Sequence, residues 1–201
     1  MNREASWGAV GANYEPPAED VVVCGKVAVL GHSQVRDLAL PAYVLNGDKH
    51  VVFRKYSVPG ATVASLKTSE AWARFRQYKP DLTFLVIGGN DITAQCSAPH
   101  VAREIIDLAK EVKTLTSGEV RIFTIERRPG PRGMGHVKYN RIRNSVNRYL
   151  KHRDPFTKER LLFSEARDSD SQDGVHLRLG AADHLVWRIV DHSEVYAGRN
   201  W

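Results

Sequence analysis

The chain has 201 residues, of which 42% are hydrophobic and 26% are charged, the balance of an ordinary globular protein. Only two cysteines are present, without zinc-finger spacing, and no apolar run approaches the roughly 20 residues that span a bilayer. Composition therefore argues against a disulfide scaffold, a zinc finger and a membrane-spanning helix. A chain of this length can bury a sizeable core without such supports.

The first 20 residues contain Gly, Ala and Pro and have no hydrophobic periodicity. We interpret residues 1–20 as a flexible N-terminal arm and residues 21–201 as a single domain. The arm lacks the apolar core of a signal peptide. Together with the sparse cysteines, this predicts an intracellular, cytoplasmic protein.

Short runs rich in Val, Ile, Leu and Phe alternate with stretches of helical periodicity over the rest of the chain. The predicted strands are 26–31, 50–54, 82–88, 120–125 and 160–163. The predicted helices are 69–77, 99–115, 137–152 and 179–192, and the helix 137–152 has Val137, Ile142, Val146 and Leu150 on one side. This alternation predicts parallel βαβ units with right-handed crossovers. We therefore expect a three-layer α/β fold with a central parallel sheet of about five strands, and a ligand site beyond their carboxyl ends.

The tripeptide Gly31-His32-Ser33 follows the first predicted strand. Glycine permits a tight turn there, and the turn would place the hydroxyl of Ser33 at the start of a helix, facing the crevice. Helix-terminal N–H groups at that point favour developing negative charge. Taken alone, however, Ser33 is better explained as a helix N-cap.

Two glycine-containing turns follow the second and third predicted strands. Gly60 can present a bare backbone N–H to a substrate oxygen, and Asn90, in Gly88-Gly89-Asn90-Asp91, can offer a side-chain N–H. Each stretch by itself is ordinary turn sequence.

Asp173 precedes His176 by three residues, in a loop before the last predicted helix. A carboxylate at this spacing can fold back onto the Nδ1 atom of the histidine. That contact fixes the tautomer and leaves Nε2 able to take a proton from a serine. A lone histidine at this position would more often be a surface residue.

The four stretches, taken together and in this order, resemble the sequence blocks of the SGNH, or GDSL-like, hydrolases. That family carries a serine in block I, a glycine in block II, GxND in block III and DxxH in block V. The corresponding stretches here are residues 31–33, Gly60, 88–91 and 173–176, and the resemblance spans residues 26–192. It implies a flavodoxin-like sandwich of the SGNH hydrolase type and serine esterase activity.

The resemblance also implies the roles of individual residues. Ser33 is the expected nucleophile, with Asp173 and His176 completing the triad. The Ser33 N–H, the Gly60 N–H and the Asn90 side chain form the expected oxyanion hole. No metal or organic cofactor is required.

One departure from the family pattern is His32, which stands where the family usually has Asp. With His32, block I resembles the Gly-His-Ser form found in esterase-like domains of transposable elements. His32, Arg127 and Arg128 are weaker candidates for substrate contacts. The compact length leaves little room for a lid, which favours short, acetyl-like acyl groups on a sugar, a lipid or another carrier; the sequence leaves the oligomeric state open.

The segment 121–160 carries twelve basic and three acidic residues. A solvated helix face is the simpler explanation. The alternative is a weakly active or inactive binding module of the same fold, within a larger polyprotein, whose partner is nucleic acid or an anionic membrane. A flavodoxin-like binding protein with no catalytic role is a third possibility, but it does not explain why serine, asparagine and histidine meet at strand ends.

Overall fold

A six-stranded sheet forms the centre of the structure. The structure is a computed structural model, and it describes residues 23–46, 49–128, 131, 133–163 and 179–200. The strands are β1 (Val23–Gly31), β2 (Tyr43–Asn46), β3 (Lys49–Ser57), β4 (Leu82–Val86), β5 (Glu119–Phe123) and β6 (Leu161–Leu162). Their spatial order is β2-β3-β1-β4-β5-β6. All neighbours are parallel except β2 and β3. The proposed arm, residues 1–20, lies outside the described residues.

The helices lie mostly between the strands in sequence, as the α/β prediction requires. They are α1 (Ser33–Arg36), α2 (Val63–Lys67), α3 (Glu70–Tyr78), α4 (Ala98–Thr116), α5 (His136–His152), α6 (Pro155–Lys158) and α7 (Leu179–Asn200). Side-chain caps explain where two of them begin: the hydroxyl of Ser69 accepts from the Trp72 N–H, and that of Ser97 accepts from the His100 N–H. No helix among these residues is both long and apolar enough to cross a bilayer.

The predicted α/β fold is confirmed, with one strand more than expected. All five predicted strands occur, although β4 ends at Val86 and β6 has only two residues. The additional strand, β2, is a four-residue edge strand that pairs antiparallel with β3. Its brevity and the absence of an intervening helix hid it from a search for βαβ units.

Two apolar layers cover the two faces of the sheet. Along β1, Ala28 and Leu30 face the cluster that includes buried residues of α2 to α5, whereas Val27 and Val29 face the cluster built on α7. The alternation follows from the two-residue period of a strand. The molecule is therefore a three-layer sandwich, as expected.

The buried face of α5 differs from the predicted one. Val146 and Leu150 are fully buried as expected, but Val137 is 62% exposed. Tyr139, only 1% exposed, occupies the buried position instead, at the spacing of two turns from Val146. The prediction for Val137 was wrong because an aromatic ring with a polar tip was not counted as part of the apolar stripe.

A main-chain contact fixes the end of β1 against β4. A Cβ atom on Gly31 would lie 1.9 Å from the carbonyl oxygen of Val86, so no side chain fits there. The next residue, His32, donates its backbone N–H to the same carbonyl oxygen at 3.2 Å. The chain segment that leads into Ser33 is therefore held by backbone packing.

Candidate active site

The loops that follow the parallel strands surround a cavity of about 660 Å³. Because parallel strands present their carboxyl ends at one edge of the sheet, residues far apart in sequence meet there. Ser33, Gly60, Asn90 and Arg128, all singled out in the sequence, line this cavity together. The other described residues that line it are Arg36, Pro59, Gly89, Ile92, Thr93, Ala94, Gln95, Pro131, Gly133, Met134 and Tyr139.

Ser33 is the first residue of α1 and lines the cavity although it is only 7% exposed. The N-cap of this helix is His32, not Ser33: the Nδ1 atom of His32 accepts from the Gln34 N–H at 3.4 Å. The serine hydroxyl is therefore not used to cap the helix.

His32 is 2% exposed and does not line the cavity. Its Nδ1 atom accepts a backbone hydrogen bond that a short acidic side chain could also accept. Its position therefore favours a structural role in the serine turn over contact with a substrate.

Gly60 occupies the cavity wall with a φ of +73°, in the left-handed region that favours glycine. A Cβ atom at this position would meet nothing within 4 Å. Within the described part of the chain, the Gly60 N–H has no hydrogen-bond partner. A backbone donor without a partner among the described residues therefore lies in the wall of the cavity that Ser33 also lines.

The side chain of Asn90 is held from both ends. Its Nδ2 atom donates to the Ala61 carbonyl oxygen at 2.9 Å, and its Oδ1 atom accepts from Nη1 of Arg128 at 3.0 Å. Because an amide nitrogen carries two protons, one N–H remains beyond the bond to Ala61. Asn90 can therefore act as a donor to an oxygen in the cavity.

Asp91 joins the same two loops by a second hydrogen bond. Its Oδ1 atom accepts from the backbone N–H of Val63 at 2.9 Å, at the start of α2. Its Oδ2 atom is buried and has no hydrogen-bond partner among the described residues. Burial, as the largest cause, raises the pKa of Asp91 to about 6, and the nearby charge of Glu104 also raises it.

The two adjacent arginines of the loop after β5 have different surroundings. Arg128 is 6% exposed and lines the cavity. Arg127 is exposed and lies in a separate concavity with His136 and Arg141 of α5. Of the three weaker candidates for substrate contact, the structure therefore brings only Arg128 to the wall shared with Ser33.

Asp173 and His176 lie outside the described residues. Sequence reasoning also missed Tyr139 in the cavity wall, whose hydroxyl donates to the Gly89 carbonyl oxygen at 3.3 Å. The sequence signal for its burial was its spacing in α5, two turns before Val146. No group of three or more His, Cys, Asp or Glu side chains that could hold a metal occurs among the residues described.

Comparisons with known proteins agree with this fold. The lipase/acylhydrolase from Enterococcus faecalis matches with a TM-score of 0.58 at 15% identity, covering 86% of this chain and 96% of that one. The esterase EstA from Pseudoalteromonas matches with a TM-score of 0.57 at 16% identity, covering 88% and 100%. A Geobacillus acetyl-xylooligosaccharide esterase matches with a TM-score of 0.54 at 17% identity, covering 87% and 95%. No curated protein matches the chain by sequence.

The sequence itself matches the model of the GDSL-like lipase/acylhydrolase family over residues 31–178, well over half of the chain. The match begins at Gly31, at the end of β1, and includes Gly60 and Asn90. The protein therefore belongs to the GDSL-like lipase/acylhydrolase family, and it is a carboxylic ester hydrolase.

Proposed function

We propose that this protein is a serine esterase that hydrolyses short-acyl, acetyl-like esters through an acyl-enzyme on Ser33. The observation that carries the proposal is the meeting of Ser33, the Gly60 N–H and the Asn90 side chain in one cavity, although they come from three different loops. A nucleophile beside two donors is the arrangement that acyl transfer needs.

The reaction has two steps. His176 takes the proton of the Ser33 hydroxyl, whose oxygen attacks the ester carbonyl carbon, while Asp173 orients the imidazole and stabilises its positive charge. The Ser33 N–H, the Gly60 N–H and the Asn90 side chain hold the resulting oxyanion. The alcohol leaves with the proton from His176, and water, activated by the same imidazole, then releases the acid.

The shape of the site supports a short acyl group. The cavity holds about 660 Å³, and its described lining combines backbone donors and Arg128 with few large apolar side chains, notably Ile92 and Met134. A long acyl chain would need a more extended apolar groove. Among the structural neighbours, the Geobacillus protein is named as an acetyl-xylooligosaccharide esterase. We therefore place acetylated sugars first among the carriers, with lipids and other acetylated molecules as alternatives.

Hydrolysis of p-nitrophenyl esters tests this proposal. We expect acetate to be turned over faster than octanoate, and Ser33→Ala to abolish the activity. Ser145→Ala, which removes a hydroxyl bonded to the Arg141 carbonyl on the exposed face of α5, is the matched control and should leave activity unchanged. A fluorophosphonate probe should label wild type at Ser33, as mapped by mass spectrometry. Equal hydrolysis by wild type and Ser33→Ala would refute the proposal.

A second candidate function, nucleic-acid binding, is favoured by the surface of α5. This helix contains no acidic residue, and four of its basic side chains are exposed with no ion pair to another described residue: Lys138, Arg141, Arg148 and Lys151. The ammonium of Lys151 lies 5.1 Å from the centroid of the Phe163 ring, and Phe163 is exposed. Positive charge beside an exposed ring is typical of surfaces that bind single-stranded nucleic acid.

Fluorescence anisotropy with a labelled single-stranded oligonucleotide tests this second function. We expect binding that weakens between about 50 mM and about 200 mM salt and that survives Ser33→Ala. The double variant Arg148→Glu/Lys151→Glu should abolish it, whereas Arg74→Glu/Arg76→Glu, with the same change of net charge on the exposed face of α3, should not. No binding at low salt refutes this function, and binding to anionic vesicles alone would assign the surface to a membrane.

A further inference from the structure

Arg128 is a buried cation inside the cavity of the proposed esterase. The hydrogen bonds of its guanidinium to described residues all come from Nη1, which donates to the Asn90 Oδ1 atom at 3.0 Å and to the Gly89 carbonyl oxygen at 3.3 Å. Its guanidinium carbon lies 5.6 Å from the centroid of the Tyr139 ring. Burying a charge is costly unless such contacts compensate for lost water. These contacts therefore hold the guanidinium in one place, against the residue that we propose as an oxyanion donor.

Gly89 provides the space that the guanidinium occupies. A Cβ atom at Gly89 would lie 2.6 Å from Nη2 of Arg128 and 3.3 Å from the Tyr139 hydroxyl. Both of these side chains also donate to the Gly89 carbonyl oxygen. The turn before Asn90 is thus packed against Arg128 and hydrogen-bonded to it. The position of the guanidinium and the position of this turn therefore depend on each other.

The direction of the Arg128–Asn90 hydrogen bond determines which way the amide points. A guanidinium carries donors and no acceptor, so the Asn90 atom that meets it must be the carbonyl oxygen. The NH₂ group then takes the other side, where it reaches the Ala61 carbonyl oxygen at 2.9 Å. A flipped amide would present an acceptor to the oxyanion, which would repel the developing negative charge.

We propose that Arg128 is a positioning residue that holds the Asn90 amide with its N–H group available to the oxyanion. The inference rests on the proposed function, since it concerns the oxyanion hole of that reaction. Arg128 acts through Asn90 and need not touch the substrate. Its positive charge also polarises the amide, which strengthens the N–H donor in a site where few charges compete.

A double-mutant cycle between Arg128 and Asn90 separates this role from a structural one. Losing an oxyanion donor typically lowers the rate by about 10²–10³-fold, so we expect Arg128→Met to lower kcat by roughly 10–100-fold, with KM changed by less than about threefold. Because Arg128 acts through Asn90, the same change in an Asn90→Ala background should lower kcat by less than about twofold. Arg76→Met, on the exposed surface of α3, is the control and should match wild type.

A second variant leaves the charge in place. In Gly89→Ala, the new methyl group overlaps Nη2 and displaces the guanidinium from Asn90. We expect kcat to fall by roughly tenfold in the wild-type background, and by less than about twofold in the Asn90→Ala background. This variant tests the proposal even if the neutral substitution at position 128 prevents folding, which thermal unfolding would reveal.

The outcomes distinguish this inference from the proposed function. Loss of activity in Ser33→Ala together with coupled effects at positions 128 and 90 supports both. Ser33→Ala could abolish activity while Arg128→Met and Gly89→Ala each lower kcat by the same factor in the wild-type and Asn90→Ala backgrounds. In that case only the role of Arg128 is overturned. If Ser33→Ala retains activity, the proposed function fails first.

Discussion

Asp91 holds the start of α2 with a carboxylate that is largely withdrawn from water, and Asp91→Asn tests what its charge costs. Asparagine keeps an oxygen that can accept from the Val63 N–H at the position of Oδ1. It removes the ionisable group whose pKa is raised from 3.8 to about 6, mainly by burial. The new NH₂ group adds a cost that does not vary with pH, so the pH dependence of the difference reports the electrostatic cost of the charge.

The direction of the pH effect follows from proton binding. Between pH 3.8 and about 6 the folded state binds more protons at Asp91 than the unfolded state does, so the free energy of unfolding falls as pH rises. The stabilising contribution of protonated Asp91 is complete below the pKa of this residue in the unfolded state. It is lost as pH rises through its pKa in the folded state. One pKa unit corresponds to about 1.4 kcal/mol, so the loss has an upper bound of about 3 kcal/mol, and partial exposure reduces it toward about 1 kcal/mol.

Urea denaturation of wild type and Asp91→Asn, from about pH 4 to about pH 8, measures this effect. We expect the free energy of unfolding of wild type, minus that of the variant, to fall by about 1–3 kcal/mol over this range and to level off near pH 7. Asp107→Asn, on the exposed face of α4, is the control for a general charge effect. A difference that stays constant, or that rises with pH, would refute the reasoning.

Two further predictions concern stability near the cavity. Gly31→Ala places a methyl group 1.9 Å from the Val86 carbonyl oxygen. Urea denaturation should show that the free energy of unfolding falls by about 3 kcal/mol or more. A decrease below about 1 kcal/mol would contradict the backbone contact. Tyr139→Phe removes the donor to the Gly89 carbonyl oxygen and keeps the ring beside Arg128. It should lower the free energy of unfolding by about 0.5–1.5 kcal/mol in the same assay. An unchanged free energy of unfolding would contradict this prediction.

Much of the fold could be predicted because strands buried on both faces have a strong compositional signal. The run that became β4 is buried at every position, and its apolar composition marked it clearly. The edge strand β2 gave no such signal, because it has one neighbour and only four residues. The face of α5 was misassigned at Val137 because hydrophobicity alone ranks valine above Tyr139, whose hydroxyl finds a partner in the interior.

The site was predictable only as an ordered set. Ser33, Gly60 and Asn90 each looked like ordinary turn or cap residues, and only the order of the blocks pointed to one cavity, where the structure places all three. The partners that position them could not be predicted in the same way. Arg128 meets Asn90 across 38 residues of sequence, and this contact depends on the space left by Gly89, which no local pattern encodes.

The two hydrogen bonds that join the loops after β3 and β4 have a consequence for engineering. Because Asn90 is bonded to Ala61 and Asp91 to Val63, an insertion in either loop would shift donors on both. Reshaping the pocket for a larger acid would therefore succeed best by transplanting both loops from one relative together. Substitutions at Met134, which lines the cavity but takes part in neither bond, offer a simpler way to widen it.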